Sequence, residues 1–276
     1  MLSLDRSLDF DLSRGEALPD VYRTLADAEI QLRKSEVTLT FGRSGAGKSI
    51  FALNHAIRVG VPALYISCDM DRYLTSVRAG AILAGKSTRE IEEALSTAEG
   101  KEDVKRFLRG APNLYFSYES RPTPEEVGEI IEAFTERFGI PPGLLVADNL
   151  MNFYPLGNDE WSGLREWSHV FHHFARDLGT AAHILHHANT SGLDLSKPPP
   201  MTAIKGQVHE LQGLILGVAQ VPGHLRIAAI KNRHGKDDPT GNSFVQLALD
   251  GPRVTLADPP KWEPGEYAET KQLAFA

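Results

Sequence analysis
The chain has 276 residues, about twice the ~150 typical of one domain, so it holds either two small domains or one large α/β domain. It is 24% charged and 42% apolar, the balance of a globular protein, which excludes overall disorder. With 36 acidic against 29 basic residues the net charge is −7, which excludes a surface that coats duplex nucleic acid; a polyanion would have to be met at a local site.

Residues 1–30 are mixed, acidic and weakly periodic, and read as an arm or lead-in element. Glu36 to Phe41 alternates polar and β-prone residues and runs into a glycine-rich turn, which predicts a strand. Ser49 to Val59 follows as a dense apolar helix stopped by Gly60, then Ala63 to Ser67 as a short strand. From Asp71 to Arg109 the pattern is helical, and Ser87 and Glu90 have the spacing of a capping box. Leu114 to Phe116 is a strand; Thr123-Pro124-Glu125-Glu126 opens a helix with a cap, a first-turn proline and a third-position glutamate. That helix carries Val127, Ile130, Ile131, Phe134 and Phe138 on one face and ends at Gly139. Leu144 to Ala147 is a continuous apolar run, as expected of a strand buried on both faces. Leu164, Trp167, Phe171, Phe174 and Leu178 mark a further helix, and Ala181 to Leu185 and Leu225 to Ile230 two more strands. Strands alternating with helices predict an α/β fold with a mostly parallel central sheet flanked by helices.

Gly42-Arg43-Ser44-Gly45-Ala46-Gly47-Lys48-Ser49 matches the phosphate-loop pattern G-x-x-x-x-G-K-S in full, between a predicted strand and a predicted helix. Its glycines let successive amides and the helix N-terminus turn toward a phosphate. In such a loop Lys48 reaches the β and γ phosphates and the Ser49 hydroxyl ligates Mg²⁺, so a nucleotide's phosphates and Mg²⁺ are the expected ligands. Asp148, directly after the buried Leu144 strand, is placed to hold the metal as a second acidic group. Asp69, two residues past the Ala63 strand, is the best-placed carboxylate to orient a water.

The order of these elements from about Ser35 to Leu249 resembles the RecA-type ATPase core, most closely the DnaB-type replicative helicases and their RadA-type relatives. Ser67-Cys68-Asp69-Met70 falls where that family has a small residue, its catalytic glutamate and often methionine, and Arg78 where an arginine follows in the next helix. Asn113 to Phe116 and the Thr123 helix match the elements before the metal-binding aspartate, and Asp148-Asn149-Leu150-Met151 looks like that aspartate's strand end. His186-His187-Ala188-Asn189 lies where the family has a γ-phosphate-sensing glutamine, best matched by His187. Lys231-Asn232-Arg233-His234-Gly235 is similar to its lysine–x–arginine–x–glycine finger, which in the family reaches a nucleotide bound by the neighbouring subunit. Without the resemblance, Lys231 and Arg233 read as solvated basic residues on a hairpin.

Two departures stand out. Asp69 is one methylene shorter than the family glutamate, and His187 replaces the more common glutamine. The resemblance implies three segments: an arm or subunit linker over 1–34, a RecA-like ATPase domain over 35–256 and a tail over 257–276. It also implies a head-to-tail homo-oligomer, as a hexameric ring, moving on single-stranded DNA by ATP hydrolysis in replication or recombination. The rival readings are an ATP-dependent recombination mediator without unwinding and a KaiC-like ATPase acting on protein partners. Asn152 to Gly163 and Ala188 to Gly206 lack periodicity and follow sheet ends; Lys197 and Lys205 are candidate contacts to the strand, or solvated lysines.

His169, His172, His173, His183, His186 and His187 crowd one region, and His169 and His173 have i, i+4 spacing, but no His-Glu-x-x-His pattern or third ligand accompanies them. They read as helix-surface and sheet-end histidines. The lone Cys68 allows no intrachain disulfide or cysteine-rich zinc site and fits a reducing, cytoplasmic setting. The first residues lack a signal layout, and the longest apolar stretch, near Leu211 to Val221, is broken by Gln212, Gly213 and Gln220 and too short to span a bilayer, so no membrane partner is expected.

Overall fold
In the computed structural model, which describes residues 15–157, 159–207 and 210–260, the strands gather into one nine-stranded sheet. The strands are β1 (Val37–Gly42), β2 (Ala63–Ser67), β3 (Leu114–Ser117), β4 (Leu144–Asp148), β5 (Ala181–His187), β6 (Leu214–Val221), β7 (His224–Asn232), β8 (Val245–Asp250) and β9 (Thr255–Ala257). Their order is β3-β2-β4-β5-β1-β6-β7-β8-β9. The six from β3 to β6 run parallel, and β7, β8 and β9 extend the sheet antiparallel.

The helices are α1 (Arg23–Ala26), α2 (Lys48–Arg58), α3 (Arg72–Ala84), α4 (Thr88–Leu95), α5 (Ala98–Leu108), α6 (Pro124–Phe138) and α7 (Glu160–Leu178). Strand residues alternate between two cores, as the two-residue period of a strand requires. Ala63 and Tyr65 join Leu53 of α2, Val77 of α3, Ile91 of α4 and Val104 of α5, whereas Leu64 and Ile66 join Phe134 of α6 and Trp167 and Phe171 of α7. Helices therefore cover both faces, which is why β1, β2 and β4 are buried along their whole length.

The helical stretch from Asp71 to Arg109 divides at two caps. Asp71 accepts from the Leu74 amide to start α3, which ends at Gly85 with φ +64°; Ser87 and Glu90 then form the reciprocal capping box that starts α4. Thr123 and Glu126 form a second such box at α6. Within the described residues of the N-terminal segment, Leu18, Tyr22, Leu25, Ile30 and Leu32 bury against the α2 side of the sheet.

Three strands, β6, β8 and β9, have no counterpart among the sequence expectations. β6 falls in the apolar stretch weighed above only as a membrane candidate, and it lies beside β1 with Thr38 opposite Leu214. It is buried from Leu214 to Ala219, so it shows no polar–apolar alternation. No helix among the described residues is long and apolar enough to cross a membrane.

Three histidines are built into this core as neutral groups. His183 is fully buried with Nε2 2.8 Å from the Thr40 hydroxyl, His55 lies on α2, and the Phe51 ring packs between them. His186 is fully buried with Nε2 2.9 Å from the Lys205 carbonyl oxygen. Burial lowers their pKa values, His183 to about 3 and His55 and His186 to about 4. Unfolding returns each to about 6.5, so the unfolded chain binds more protons in the window between. The stability they support is complete above about pH 6.5 and is lost as pH falls through 4, with a slope of up to about 1.4 kcal/mol per pH unit for each histidine. Urea melts from pH 7.5 to 4.5 should show this decline, and replacing His55 and His183 with glutamine should remove about two protons' worth of slope. An unchanged slope would mean that other groups set the acid sensitivity.

Candidate active site
The site forms where four parallel strands end together. β1 finishes at Gly42, opposite His187 at the end of β5, and Ser67 at the end of β2 stands opposite Asp148 at the end of β4. The loop from Arg43 to Gly47 turns the chain from β1 into α2. Gly47 has φ +88°, and a Cβ there would lie 2.8 Å from Leu225 Cδ1; at Gly42 it would lie 2.7 Å from the Val218 carbonyl oxygen. Gly42 excludes a side chain because the β6 backbone passes close behind the loop, and Gly47 because its left-handed φ favours glycine. No side chain caps α2, which leaves its first-turn amides for an anion.

Lys48 is 6% exposed and donates to the carbonyl oxygens of Gly42 at 3.1 Å and Arg43 at 2.9 Å. Burial lowers its pKa to about 8, while the carboxylates of Asp148 and Asp69 pull the other way. Asp148 is 1% exposed; burial raises its pKa and the charge of Asp69 adds to the rise. The hydrogen bond from Tyr65, the nearby Ser49 hydroxyl and the charge of Lys48 oppose it. The Tyr65 hydroxyl donates to Asp148 Oδ2 at 2.6 Å. Asp69 is exposed on the same cleft, and His187 is half-buried beside it, its pKa lowered first by burial and then by Lys48 and Lys205, which keeps the imidazole neutral.

Lys48, Ser49, Asp148, Asp69 and His187 line one cleft of about 390 Å³, together with Arg78, whose guanidinium contacts Met70 Sδ at 2.9 Å. The donors suit a hard divalent cation: a serine hydroxyl and one carboxylate on the same cleft, beside a glycine-rich loop with free amides. Mg²⁺ is commonly held by one or two protein oxygens with phosphate and water completing its shell, so Ser49 and Asp148 fit it.

The structure does not bring every sequence candidate to this cleft. Lys231 lies on β7 and Arg233 just past its end, and β7 runs antiparallel, with Asn232 opposite Leu214 and Leu214 opposite Thr38. That level is four residues below Gly42 on β1, or about 13 Å along the strand. The pair therefore sits at the end of the sheet away from its own phosphate loop. Lys231 donates to the Glu210 carbonyl oxygen at 3.2 Å; Arg233 is exposed, and its charge acts on His172 of α7.

Lys205 is half-buried beside His186 and His187. Lys197 is exposed and reaches Asn242 Oδ1 at 3.4 Å. The excursion carrying both is tied at its base, where Ala188 bridges Ile204 and the Asn189 amide donates to the Ala203 carbonyl oxygen at 2.8 Å. Of the other candidate segment, Asn152 to Gly163, position 158 lies outside the described residues. His169 and His173 are exposed on α7, and His172 is half-buried.

Two residues of the site escape the sequence reading. Tyr65, buried behind the cleft, is hidden inside an apolar strand run, and Gln220, on its lining, comes from the end of β6, a strand with no sequence counterpart. A buried tyrosine within such a run, whose hydroxyl requires a partner, is the only signal of the first.

No family model matches the chain. It is 31% identical over 254 residues to the Gene 65 protein of Mycobacterium phage L5, covering 89% of this chain and 94% of that relative. It is likewise 31% identical over 222 residues to the Gene 65 protein of Mycobacterium phage D29, covering 78% and 95%. Among solved structures it superposes on a DnaB-like replicative helicase, described with its interactions with primase, at a TM-score of 0.76 and 13% identity, covering 92% of this chain and 66% of the helicase. On a second solved structure, an isolated ATPase domain, the TM-score is 0.76 at 14% identity, covering 93% of this chain and 96% of that domain. The chain thus belongs to the family of the phage Gene 65 proteins, and its fold is the RecA-like core of the DnaB type.

Proposed function
We propose that this protein is an ATP-hydrolysing motor that assembles head to tail with its own copies, as a hexameric ring, and moves on single-stranded DNA. The observation that carries this reading is the division of the phosphate chemistry between opposite ends of one sheet. The loop, Ser49, Asp148, Asp69 and His187 line one cleft, while Lys231 and Arg233 lie at the far end. A subunit so divided supplies its cations to a neighbour's nucleotide, and a head-to-tail contact repeated around a closed ring supplies every site.

In this mechanism the loop amides and Lys48 hold the β and γ phosphates, and Ser49 and Asp148 hold the cation. Bound Mg²⁺ supplies positive charge that neutralises the phosphate oxygens as the terminal group transfers. The Asp69 carboxylate accepts a proton from the attacking water, and its reach, one methylene shorter than a glutamate's, makes the position of that water sensitive to cleft closure. The neutral His187 has an N–H with which to contact the terminal phosphate. The neighbour's Lys231 and Arg233 meet the charge that develops on that phosphate. We assign the motor to residues 35–256, flanked by the segments 1–34 and 257–276. The connection from His186 to the Lys205 carbonyl oxygen gives the sensing strand a direct route to the lysine-bearing excursion.

The test is ATP turnover with and without single-stranded DNA, repeated on a Lys197→Ala, Lys205→Ala variant. Stimulation by the strand, a weaker strand affinity in the variant and a log–log salt slope shallower by about 1.4 are expected for two lost phosphate contacts. Turnover indifferent to the strand would favour the protein-partner ATPase. An unchanged slope would remove the two lysines from the DNA path.

A further inference from the structure
We infer that Tyr65 is a positioning residue for the cation: it fixes which oxygen of Asp148 is presented to the metal. The inference rests on the ATPase reading above and names a residue which that reading leaves unused. Tyr65 is fully buried on β2, and its ring packs on Phe116 with centroids 5.1 Å apart. In the β2–β4 register it stands opposite Val146, two residues short of Asp148, an offset of about 6.6 Å along the strand. Its side chain spans that offset, and its hydroxyl donates to Asp148 Oδ2 at 2.6 Å.

The hydroxyl is buried and has one function to perform. A phenylalanine would fill the same apolar site, since Ala63, Val146 and Leu144 surround it in the same core. What the extra oxygen adds is a short bond to an acceptor that is itself 1% exposed, the arrangement in which a hydrogen bond to a carboxylate counts most. With Oδ2 committed to the phenol, rotation of the carboxylate is arrested, and the second oxygen is the one left for a cation or its water shell. The Ser49 hydroxyl, near enough to the same carboxylate to lower its pKa, is the other oxygen donor of the site. Burial and the charge of Asp148 hold the phenol well above its ordinary pKa, so it remains a donor.

Outer partners of metal ligands tune affinity by about 10- to 100-fold when removed, and Tyr65→Phe isolates this one because it deletes a single oxygen and keeps the ring. The readout is Mn²⁺ binding, followed by electron paramagnetic resonance on the full chain saturated with ATP. Metal-free binding of N-methylanthraniloyl-ATP is measured alongside. Half-saturating Mn²⁺ should rise about tenfold in Tyr65→Phe while metal-free nucleotide affinity stays at the wild-type value. In an Asp148→Asn background the same substitution should add nothing further, because the two changes then act on one contact.

An unchanged Mn²⁺ midpoint in Tyr65→Phe overturns the assignment. So does an equal extra loss in the Asp148→Asn background, or a parallel loss of metal-free affinity, either of which marks a general distortion of β2. A wild-type chain that binds no nucleotide overturns the ATPase reading itself, an outcome distinct from all of these.

Discussion

Lys48→Ala is expected to lower ATP turnover by at least about 10³-fold, to the background of the assay, while leaving the fold at least as stable as the parent. Both halves follow from the position of the ammonium. It is 6% exposed, held between two loop carbonyl oxygens, and its pKa is lowered to about 8 because burial penalises the charge. Burial outweighs the pull of the Asp148 and Asp69 carboxylates on this charge, so removing it takes away more burial penalty than attraction, along with two hydrogen bonds, and the thermal midpoint should not fall. Removing it from beneath a triphosphate takes away the buried cation of the loop at the moment when charge on the β–γ bridge grows. Steady-state hydrolysis and a thermal melt on the same preparation separate the two effects. Undiminished turnover would show that the cleft around the loop is not where ATP is hydrolysed.

The legible part of this molecule is the part whose physics is local. A strand, a glycine-rich turn and a helix carry the phosphate loop within a few residues, so Gly42 to Ser49 can be read without knowing what lies around them. The caps at Ser87 and Thr123 are equally local and form as their spacing predicts. Asp148 is visible because a fully buried strand ends on it. β6 stays hidden for a related reason: lying between β1 and β7 and buried on both faces, it has no alternation, and Gly217 interrupts its apolar run. β8 and β9 are short and half-exposed, with mixed residues that suit an antiparallel edge.

The tyrosine that grips Asp148 comes from another strand at an offset of two residues, a relation that exists only once the β2–β4 register is set. The same holds for the separation between the phosphate loop and Arg233. Sequence places both at strand ends; only the reversal of β7 puts those ends on opposite sides of the sheet.

That reversal leads to the most discriminating expectation. Arg233→Ala should leave nucleotide binding at the wild-type level, because the side chain is exposed and remote from its own cleft. Turnover should fall by about 10³-fold or more, the range for removing a guanidinium that meets the transferring phosphoryl group from a neighbour. Mixing then identifies which subunit supplies the group. An active interface needs an intact Lys48 on one subunit and an intact Arg233 on the next. Neither Arg233→Ala nor Lys48→Ala alone can build one, but an Arg233→Ala subunit facing a Lys48→Ala subunit can. In a random equal mixture about a quarter of the heterologous interfaces have that pairing, so turnover should recover to about that fraction of wild type. Dead mixtures would place Arg233 in its own subunit's reaction, against the strand order. A fully active Arg233→Ala would make it a solvated arginine on a turn and remove the reason for a ring.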